Sequence, residues 1–192
     1  PGFTVVAVLI LGLGIGANSA IFSVINAVLL RPLPYREPDQ LVTLEHHYPS
    51  LNDLKASVSV AGFLAYQQQT QTFERAAVEN GWLPSLTGRG DPARVQGTQV
   101  SGDFFSTYGV QPALGRVIRP NEAEAGHNKV VVLSNGMWQR VLGGDPNAIG
   151  QKLNLDGEGY EVVGVMPTSF RDFFGRRSEF WVPLVFPERL KD

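Results

Sequence analysis

The feature that most limits how this chain can fold is an N-terminal run of 28 residues without a charged side chain, from Phe3 to Leu30. A helix needs about 20 apolar residues to span a bilayer. At ~1.5 Å of rise per residue, this run would extend ~42 Å, against a hydrocarbon core of ~30 Å. The run therefore predicts a transmembrane helix that crosses the bilayer and protrudes from it.

Two other kinds of segment are also apolar. A core helix of a soluble protein is one, and that alternative stays open at this point. A cleaved signal peptide is the other, but its apolar region is only ~7–15 residues long and follows a charged segment. The run from Phe3 to Leu30 is longer than such a region, so the sequence favours a helix that stays in the membrane.

Small residues recur every four positions along this helix, at Gly12, Gly16 and Ala20. Such a row lets the backbone of a second helix approach closely, although a glycine-rich apolar run also produces it by chance. The polar residues of the second half share one arc of the helix: Asn18, Ser19, Ser23 and Asn26. Because amides facing lipid are costly, we expect this helix to belong to a bundle.

Composition and motifs exclude several functions. A net charge of −2 gives no basic surface for nucleic acid, and zero cysteines exclude a disulfide scaffold and thiolate metal sites. The segment Gly12–Ala17 fits a dinucleotide-binding fingerprint, but the acidic residues at the required spacing lie in a proline-rich turn. Neither a nucleotide-binding loop, a metal-ligand spacing nor a nucleophile motif is present. We therefore expect no enzyme activity, cofactor or metal.

The rest of the chain alternates short strands with few helices, which predicts an α+β domain. The predicted strands are Leu41–His46, Ala76–Leu86, Ala93–Val100, Lys129–Leu133, Lys152–Leu155, Tyr160–Val165 and Phe180–Leu184. The predicted helices are Phe63–Arg75, Gly102–Tyr108 and one that Ser134 caps and Gly143-Gly144 ends. Asp156-Gly157 predicts a hairpin, Pro183 predicts an edge strand, and Trp138 and Trp181 are expected to be buried.

Several short motifs, in a fixed order, resemble one known family. Leu11–Val24 and Leu29–Tyr35 resemble the first transmembrane helix of MacB/FtsX-type ABC transporter permeases, most closely the acidobacterial-type duplicated orphan permeases. The remaining motifs resemble their MacB-like periplasmic core domain: Val100–Phe105, Gly109–Arg116, Val131–Ser134, Met137-Trp138, Gly144–Pro146, Ile149-Gly150 and Tyr160–Pro167. The set covers nearly the whole chain.

The resemblance implies a domain organisation and a location. Residues 1–35 would form the transmembrane helix and its exit turn, and residues 36–192 a periplasmic core domain truncated at its C-terminal end. The resemblance also implies a cytoplasmic N-terminus, a periplasmic or extracellular domain, and the bacterial inner membrane. Charge alone does not give this orientation, because Arg31 and Arg36 flank the helix on one side only.

The function that the resemblance implies is that of a non-catalytic permease subunit of an ABC exporter. Its partners would be a separate ABC ATPase subunit, further transmembrane helices of the same permease, membrane lipid and a second permease copy or half, without nucleic acid. The alternative is a membrane-anchored extracytoplasmic sensor or interaction domain that transports nothing. The sequence indicates no transported substrate.

Overall fold

The structure is a computed structural model that describes residues 2–26, 35, 37–48, 54–68, 72–171 and 177–187. It divides the chain into two compact units, Pro1–Leu33 and Pro34–Asp192. The first contains one helix, and the second is a mixed α+β unit that we call the sheet domain. The predicted fold class, an apolar N-terminal helix followed by an α+β domain, is therefore confirmed.

Helix α1 (Gly2–Ile25) is long, uncharged and exposed along its length. Its stretch Gly2–Ser23 has a mean hydropathy of 2.2, and 0% of its apolar window is buried. The Ser23 hydroxyl donates to the Ser19 carbonyl oxygen at 2.8 Å, which satisfies a polar group within the helix itself. Among the described residues, α1 is the one helix long and apolar enough to cross a membrane. The predicted exit turn before Tyr35 lies outside the described residues.

The sheet domain is built from short elements. Its helices are α2 (Val60–Gln68), α3 (Phe104–Tyr108) and α4 (Asn135–Leu142). Its strands are β1 (His46–Tyr48), β2 (Leu54–Ala56), β3 (Glu79–Trp82), β4 (Ser85–Thr87), β5 (Ala93–Arg94), β6 (Gly97–Val100), β7 (Leu114–Gly115), β8 (Val130–Leu133), β9 (Lys152–Leu155), β10 (Glu158–Val165) and β11 (Phe180–Pro183).

Nine of these strands form one mixed sheet, in the order β3-β6-β11-β8-β10-β9-β4-β5, with β7 paired to β10. Most pairs are antiparallel, but β10 runs parallel to β8, and β11 runs parallel to β6. The connection from β8 to β10 contains α4, as a parallel pair requires a crossover. Strands β1 and β2 form a separate antiparallel pair.

Apolar side chains alternate between the two faces of this sheet, and each face carries its own core. In β11, Phe180 and Val182 pack on the face that α4 covers, whereas Trp181 packs on the face that α3 covers. The α3 face contains aromatic rings packed edge to face, with the Phe105 and Phe170 ring centres 6.0 and 5.2 Å from that of Trp181. The sheet is therefore held from both sides.

Local signals predicted two connections correctly. The Ser134 hydroxyl accepts the backbone N–H of Met137 at 3.1 Å, and α4 ends at Gly143, whose φ is 62°. Asp156 and Gly157 both have positive φ, 51° and 84°, as the tight turn between β9 and β10 requires. Asp156 also accepts the backbone N–H of Ser85 at 2.8 Å, which ties the turn to β4.

Two predicted elements are displaced. Leu41–His46 was expected as a strand, but the strand begins at His46, because residues 41–45 pair with no strand that the structure describes. Helix α2 begins at Val60 rather than at Phe63, because the Ser59 hydroxyl caps it by accepting the Gly62 N–H at 3.1 Å. It ends at Gln68, and residues 72–75 are not helical; residues 69–71 lie outside the described residues.

Long strands and edge positions were predicted less well. The expected strands Ala76–Leu86 and Ala93–Val100 are each two strands. Pro183 was expected at an edge, but β11 lies between β6 and β8. The sheet tolerates this proline because β8 pairs only with Phe180 and Trp181. Pro183, which lacks a backbone N–H, therefore does not have to donate a hydrogen bond to β8.

The tryptophans differ in burial. Trp181 is 3% exposed, as expected. Trp138 is only partly buried, because its indole N–H reaches the Asp145 carbonyl oxygen at 2.9 Å near the surface. The expectation that Trp138 is buried was therefore too strong.

Candidate functional site

The small residues predicted as a helix-packing row lie on the exposed surface of α1. A Cβ atom added at Gly12 or Gly16 would meet nothing within 4 Å, and Ala20 is exposed as well. Asn18 and Asn26 are also exposed. The row is therefore open within α1 itself, and its role in packing stays a prediction.

The sheet domain contains one large groove, with a volume of about 930 Å³. Its walls are the segment Leu41–Glu45, the start of α2, the residues leading into β3, helix α3 and the segment that follows β11. Aromatic contacts close part of it: the Phe63 and Phe186 rings lie 5.7 Å apart, and the Tyr66 and Phe73 rings 6.1 Å apart. We call this feature the β3-side groove.

Several polar side chains at or beside the β3-side groove are used in hydrogen bonds within the domain. The Ser101 hydroxyl accepts the Val78 N–H at 3.1 Å, and the Thr107 hydroxyl donates to the Asp103 carbonyl oxygen at 2.8 Å. His46 and Tyr66 are hydrogen-bonded at 3.1 Å. Among the described residues, no three His, Asp or Glu side chains converge on a point that could hold a metal ion. The groove is lined by polar and apolar surface in about equal parts, including the charged side chains Glu45, Glu74, Arg75 and Glu79.

An ion pair between a buried carboxylate and a half-buried guanidinium is the most constrained polar feature, and sequence reasoning missed it. Arg116 binds the Glu122 carboxylate with two hydrogen bonds, of 2.9 and 2.7 Å, and the Arg119 N–H donates to the same carboxylate at 2.8 Å. Glu122 is 8% exposed. Burial alone would raise the pKa of Glu122, but these hydrogen bonds and the nearby positive charges outweigh it and lower the pKa.

The sequence carried a weak signal for this pair. Pro120 begins a short helical turn. The Glu122 carboxylate accepts the backbone N–H of Arg119, the residue that precedes this turn, as in a capping box. The bidentate geometry suits Arg and carboxylate. The pair connects the residue after β7 to the short helical turn that begins at Pro120, and neither side chain lines the β3-side groove.

Two further ion pairs lie at the surface of the sheet domain and join neighbouring elements. The Lys129 ammonium binds Glu158 and lies 4.8 Å from the centre of the Tyr160 ring. The hydrogen bond to Glu158 raises the pKa of Lys129. Arg140 binds Glu179 in the same way, which connects α4 to the start of β11. These pairs join neighbouring elements and form no acid–base set.

Comparison with solved structures shows the same kind of fold. The extracellular domain of the noncanonic ABC-type transporter YknZ from Gram-positive bacteria matches with a TM-score of 0.50 and 11% identity, over 73% of this chain and 63% of that one. A domain assigned to a permease protein of Porphyromonas gingivalis matches with a TM-score of 0.50 and 12% identity, over 72% and 59%.

The periplasmic region of MacB from Actinobacillus actinomycetemcomitans matches with a TM-score of 0.48 and 13% identity, over 63% of this chain and 54% of that one. The chain thus spans 54% to 63% of the length of these three structures. No curated protein matches the chain.

The family model for the MacB-like periplasmic core domain matches residues 4–191, which include both the apolar helix and the sheet domain. An apolar N-terminal helix together with a periplasmic-type domain indicates a membrane-anchored protein whose domain lies outside the cytoplasm. The chain belongs to the family of MacB-like periplasmic core domains found in ABC-type transporter permeases.

Proposed function

We propose that this chain is part of a non-catalytic permease subunit of an ABC exporter, driven by a separate ATPase subunit. One observation carries the proposal: the family model matches residues 4–191, a range that begins in the apolar helix and includes the sheet domain.

The sheet domain would couple ATP-driven motion in the cytoplasm to export or mechanical work outside the membrane. Helix α1 has 24 residues, ~36 Å at ~1.5 Å per residue, which exceeds a hydrocarbon core of ~30 Å. The sheet has a packed core on each face. Since packed interiors resist compression and transmit strain, this domain suits transmission of a displacement as a rigid body.

The proposal includes an orientation and a membrane. The N-terminus of α1 would lie in the cytoplasm and the sheet domain in the periplasm or outside the cell, with α1 in the bacterial inner membrane. The partners would be the ATPase, further transmembrane helices of the same permease, a second permease copy or half, and lipid. The support is family membership, so the orientation is inferred by analogy.

The row of small residues on α1 would be the surface that contacts another transmembrane helix. Gly12, Gly16 and Ala20 are exposed and leave the backbone accessible. In lipid, helix association depends on close van der Waals packing, which small residues allow. Cysteines placed at these three positions of the full-length permease should cross-link to another helix, and the row faces lipid if none of the three does.

The test of function is an ATP-dependent movement of the sheet domain. Residues 1–192 contain no cysteine. Glu124→Cys, at an exposed position, carries a single spin label in each permease copy once any cysteine elsewhere in the full-length permease is replaced by serine. The label-to-label distance is measured in the purified complex with the ATPase, with and without trapped ATP. A shift between the two states supports coupling, and the same label in a complex with a hydrolysis- and ATP-binding-deficient ATPase is the matched control.

One observation favours a second function. Among the described residues a single helix is able to span a membrane, which is also the architecture of an anchored sensor or interaction domain. Such a protein would bind no ATPase, and its label distances would not respond to ATP. The two functions therefore give opposite results in the same experiment.

A further inference from the structure

Two segments with the sequence of strands line the β3-side groove without being paired to each other. The first is residues 41–44, which we call the strap; Leu41 has extended backbone angles, with φ −80° and ψ 125°. The second is residues 76–78, which lead into β3 and lie outside the described strands. The groove is therefore bounded by two segments that could pair if they came together.

The strand that follows the second segment lies at one end of the sheet. Strand β3 has β6 as its one partner among the described strands. The opposite edge is protected against strand addition, because β5 has only two residues, follows Pro92 and contains Arg94. Strand β3 has four residues and no proline. Of the two edges, β3 is therefore the one suited to receive a further strand.

The two segments already share one face of the sheet. Leu41 and Ala77 are partly buried against the same core, on the α3 face, whereas Trp82 packs against the core of the α4 face. Because side chains alternate along a strand, a paired strap would direct Val42 and Leu44 to the face of Trp82. These two side chains are now 66% and 37% exposed, so pairing would remove apolar surface from water.

The connection between the two segments determines the direction of pairing. The chain that joins them contains α2, a helix of nine residues. Parallel strands need a long crossover of this kind, which usually contains a helix. The strap, α2 and β3 thus have the order of a strand–helix–strand unit, and the strap would run parallel to β3.

Charge and burial select one register. A shift by one residue would turn Leu41 away from the α3 face. With Leu41 beside Ala77, no two carboxylates are opposite each other. A shift by two residues in one direction would place Glu45, which follows the strap, opposite Glu79, and like charges directly opposite destabilise a sheet. A shift by two in the other direction would move apolar Leu41 from Ala77 to charged Glu79.

We propose that the strap is a closing element that adds to the outer edge of β3 as a parallel strand, with Leu41 beside Ala77 and Leu44 beside Asn80, and thereby closes the β3-side groove. The structure described above is the open arrangement. Backbone hydrogen bonds form the closing contacts, which the mixed polar and apolar lining of the groove permits. This inference goes beyond the proposed function, because it rests on the topology of the sheet and not on transport.

The experiment is disulfide trapping in the full-length permease in membranes, with any cysteine outside residues 1–192 replaced by serine. Leu44→Cys is combined with Asn80→Cys, and copper-phenanthroline is the oxidant. Leu44→Cys with Gln99→Cys is the matched control, because Gln99 is the partner of Asn80 in β6, one strand further away. Neighbouring strands are ~4.8 Å apart, so a paired strap would lie ~10 Å from β6, beyond the ~7 Å limit for a disulfide.

Two further variants complete the design. Asn80→Cys with Gln99→Cys joins paired residues of β3 and β6 and shows that these sites oxidise. Val42→Cys with Val78→Cys tests the same register at a second position, in case the first substitutions impair folding. An isotope-labelled copy is co-expressed, so that mass spectrometry separates a bridge within one polypeptide from a bridge between copies.

The expected result is a bridge within one polypeptide from position 44 to position 80, roughly tenfold more abundant than one from 44 to 99. Equal yields for these two pairs, or a bridge between copies only, overturn the proposal. If neither strap variant folds, hydrogen exchange of the unmodified protein decides: residues 42–44 should exchange roughly tenfold more slowly than the exposed turn at residues 88–91, and equal rates overturn it. Loss of ATPase binding in a separate pull-down would refute the transport function and leave this result unaffected.

Discussion

Gly97 is the position where the packing of the sheet leaves no room for a side chain. A Cβ atom there would lie 2.1 Å from Cζ of Phe180 and 2.3 Å from Cε2. Favourable carbon–carbon contacts lie at about 3.5–4.0 Å, so the ring would have to shift by more than ~1 Å. Phe180 is 0% exposed and its ring lies 5.8 Å from that of Trp82, so it has no free space to move into.

We therefore expect Gly97→Ala to destabilise the sheet domain. Overpacking a core destabilises a protein by ~1–3 kcal/mol. Replacing Gly by Ala where φ is negative stabilises it by ~0.4–1 kcal/mol, because the unfolded chain loses conformational entropy. The net loss is about 1–2 kcal/mol. With a urea dependence of ~1–3 kcal/mol per molar, the unfolding midpoint should fall by roughly 0.5–1 M.

The assay is urea unfolding of the chain in mild detergent, followed by tryptophan fluorescence. All three tryptophans lie in the sheet domain, so the signal reports that unit alone. Gly159→Ala is the matched control, because Gly159 is also in a strand, has no positive φ, and a Cβ there would meet only Lys152 Cδ at 3.8 Å. Its midpoint should stay equal to that of the parent or rise slightly.

A double variant tests whether the clash with the Phe180 ring causes the destabilisation. Phe180→Leu removes the ring atoms that clash, so Gly97→Ala should cost less in that background, with a coupling energy on the order of 1 kcal/mol. Equal midpoints for Gly97→Ala and Gly159→Ala, or strictly additive effects in the double variant, would refute the packing argument.

Three further changes have defined outcomes. Glu122→Gln should lower the free energy of unfolding by about 2 kcal/mol at neutral pH. Because folding lowers the pKa of Glu122, the parent loses this advantage as the pH falls through that pKa, and the difference in urea midpoint between parent and variant should shrink. Ser134→Ala should cost ~1 kcal/mol by removing the cap of α4, and Ser106→Ala, an exposed serine, should cost much less in the same assay. Gly16→Leu should leave membrane insertion intact but impair assembly of the full-length permease, as measured by co-purification.

The parts of this fold that depend on interactions between neighbouring residues could be predicted from the sequence. Asp156-Gly157 specifies its turn and Ser134 its helix start through contacts within three residues. The absence of charge before Arg31 is likewise a local property, and it predicted α1.

Other features depend on contacts between distant residues and could not be predicted. Pro183 pairs with Val100, and the parallel register that places β11 inside the sheet is set by the packing of both faces. The pattern of Leu41–His46 is that of a strand, but pairing needs a partner as well as a pattern. The Arg116–Glu122 pair needs the turn at Pro120 to bring the two side chains together.

The measurement that tests the central claim most directly is the side of the membrane on which the sheet domain lies. Ile149→Cys places one cysteine at a position that is 40% exposed in a chain without cysteine. The full-length protein, with any cysteine outside residues 1–192 replaced by serine, is treated in intact spheroplasts with a membrane-impermeant maleimide, and a cytoplasmic marker protein reports leakage. The account predicts labelling of position 149 before lysis, with the marker unlabelled. Labelling only after lysis would contradict it.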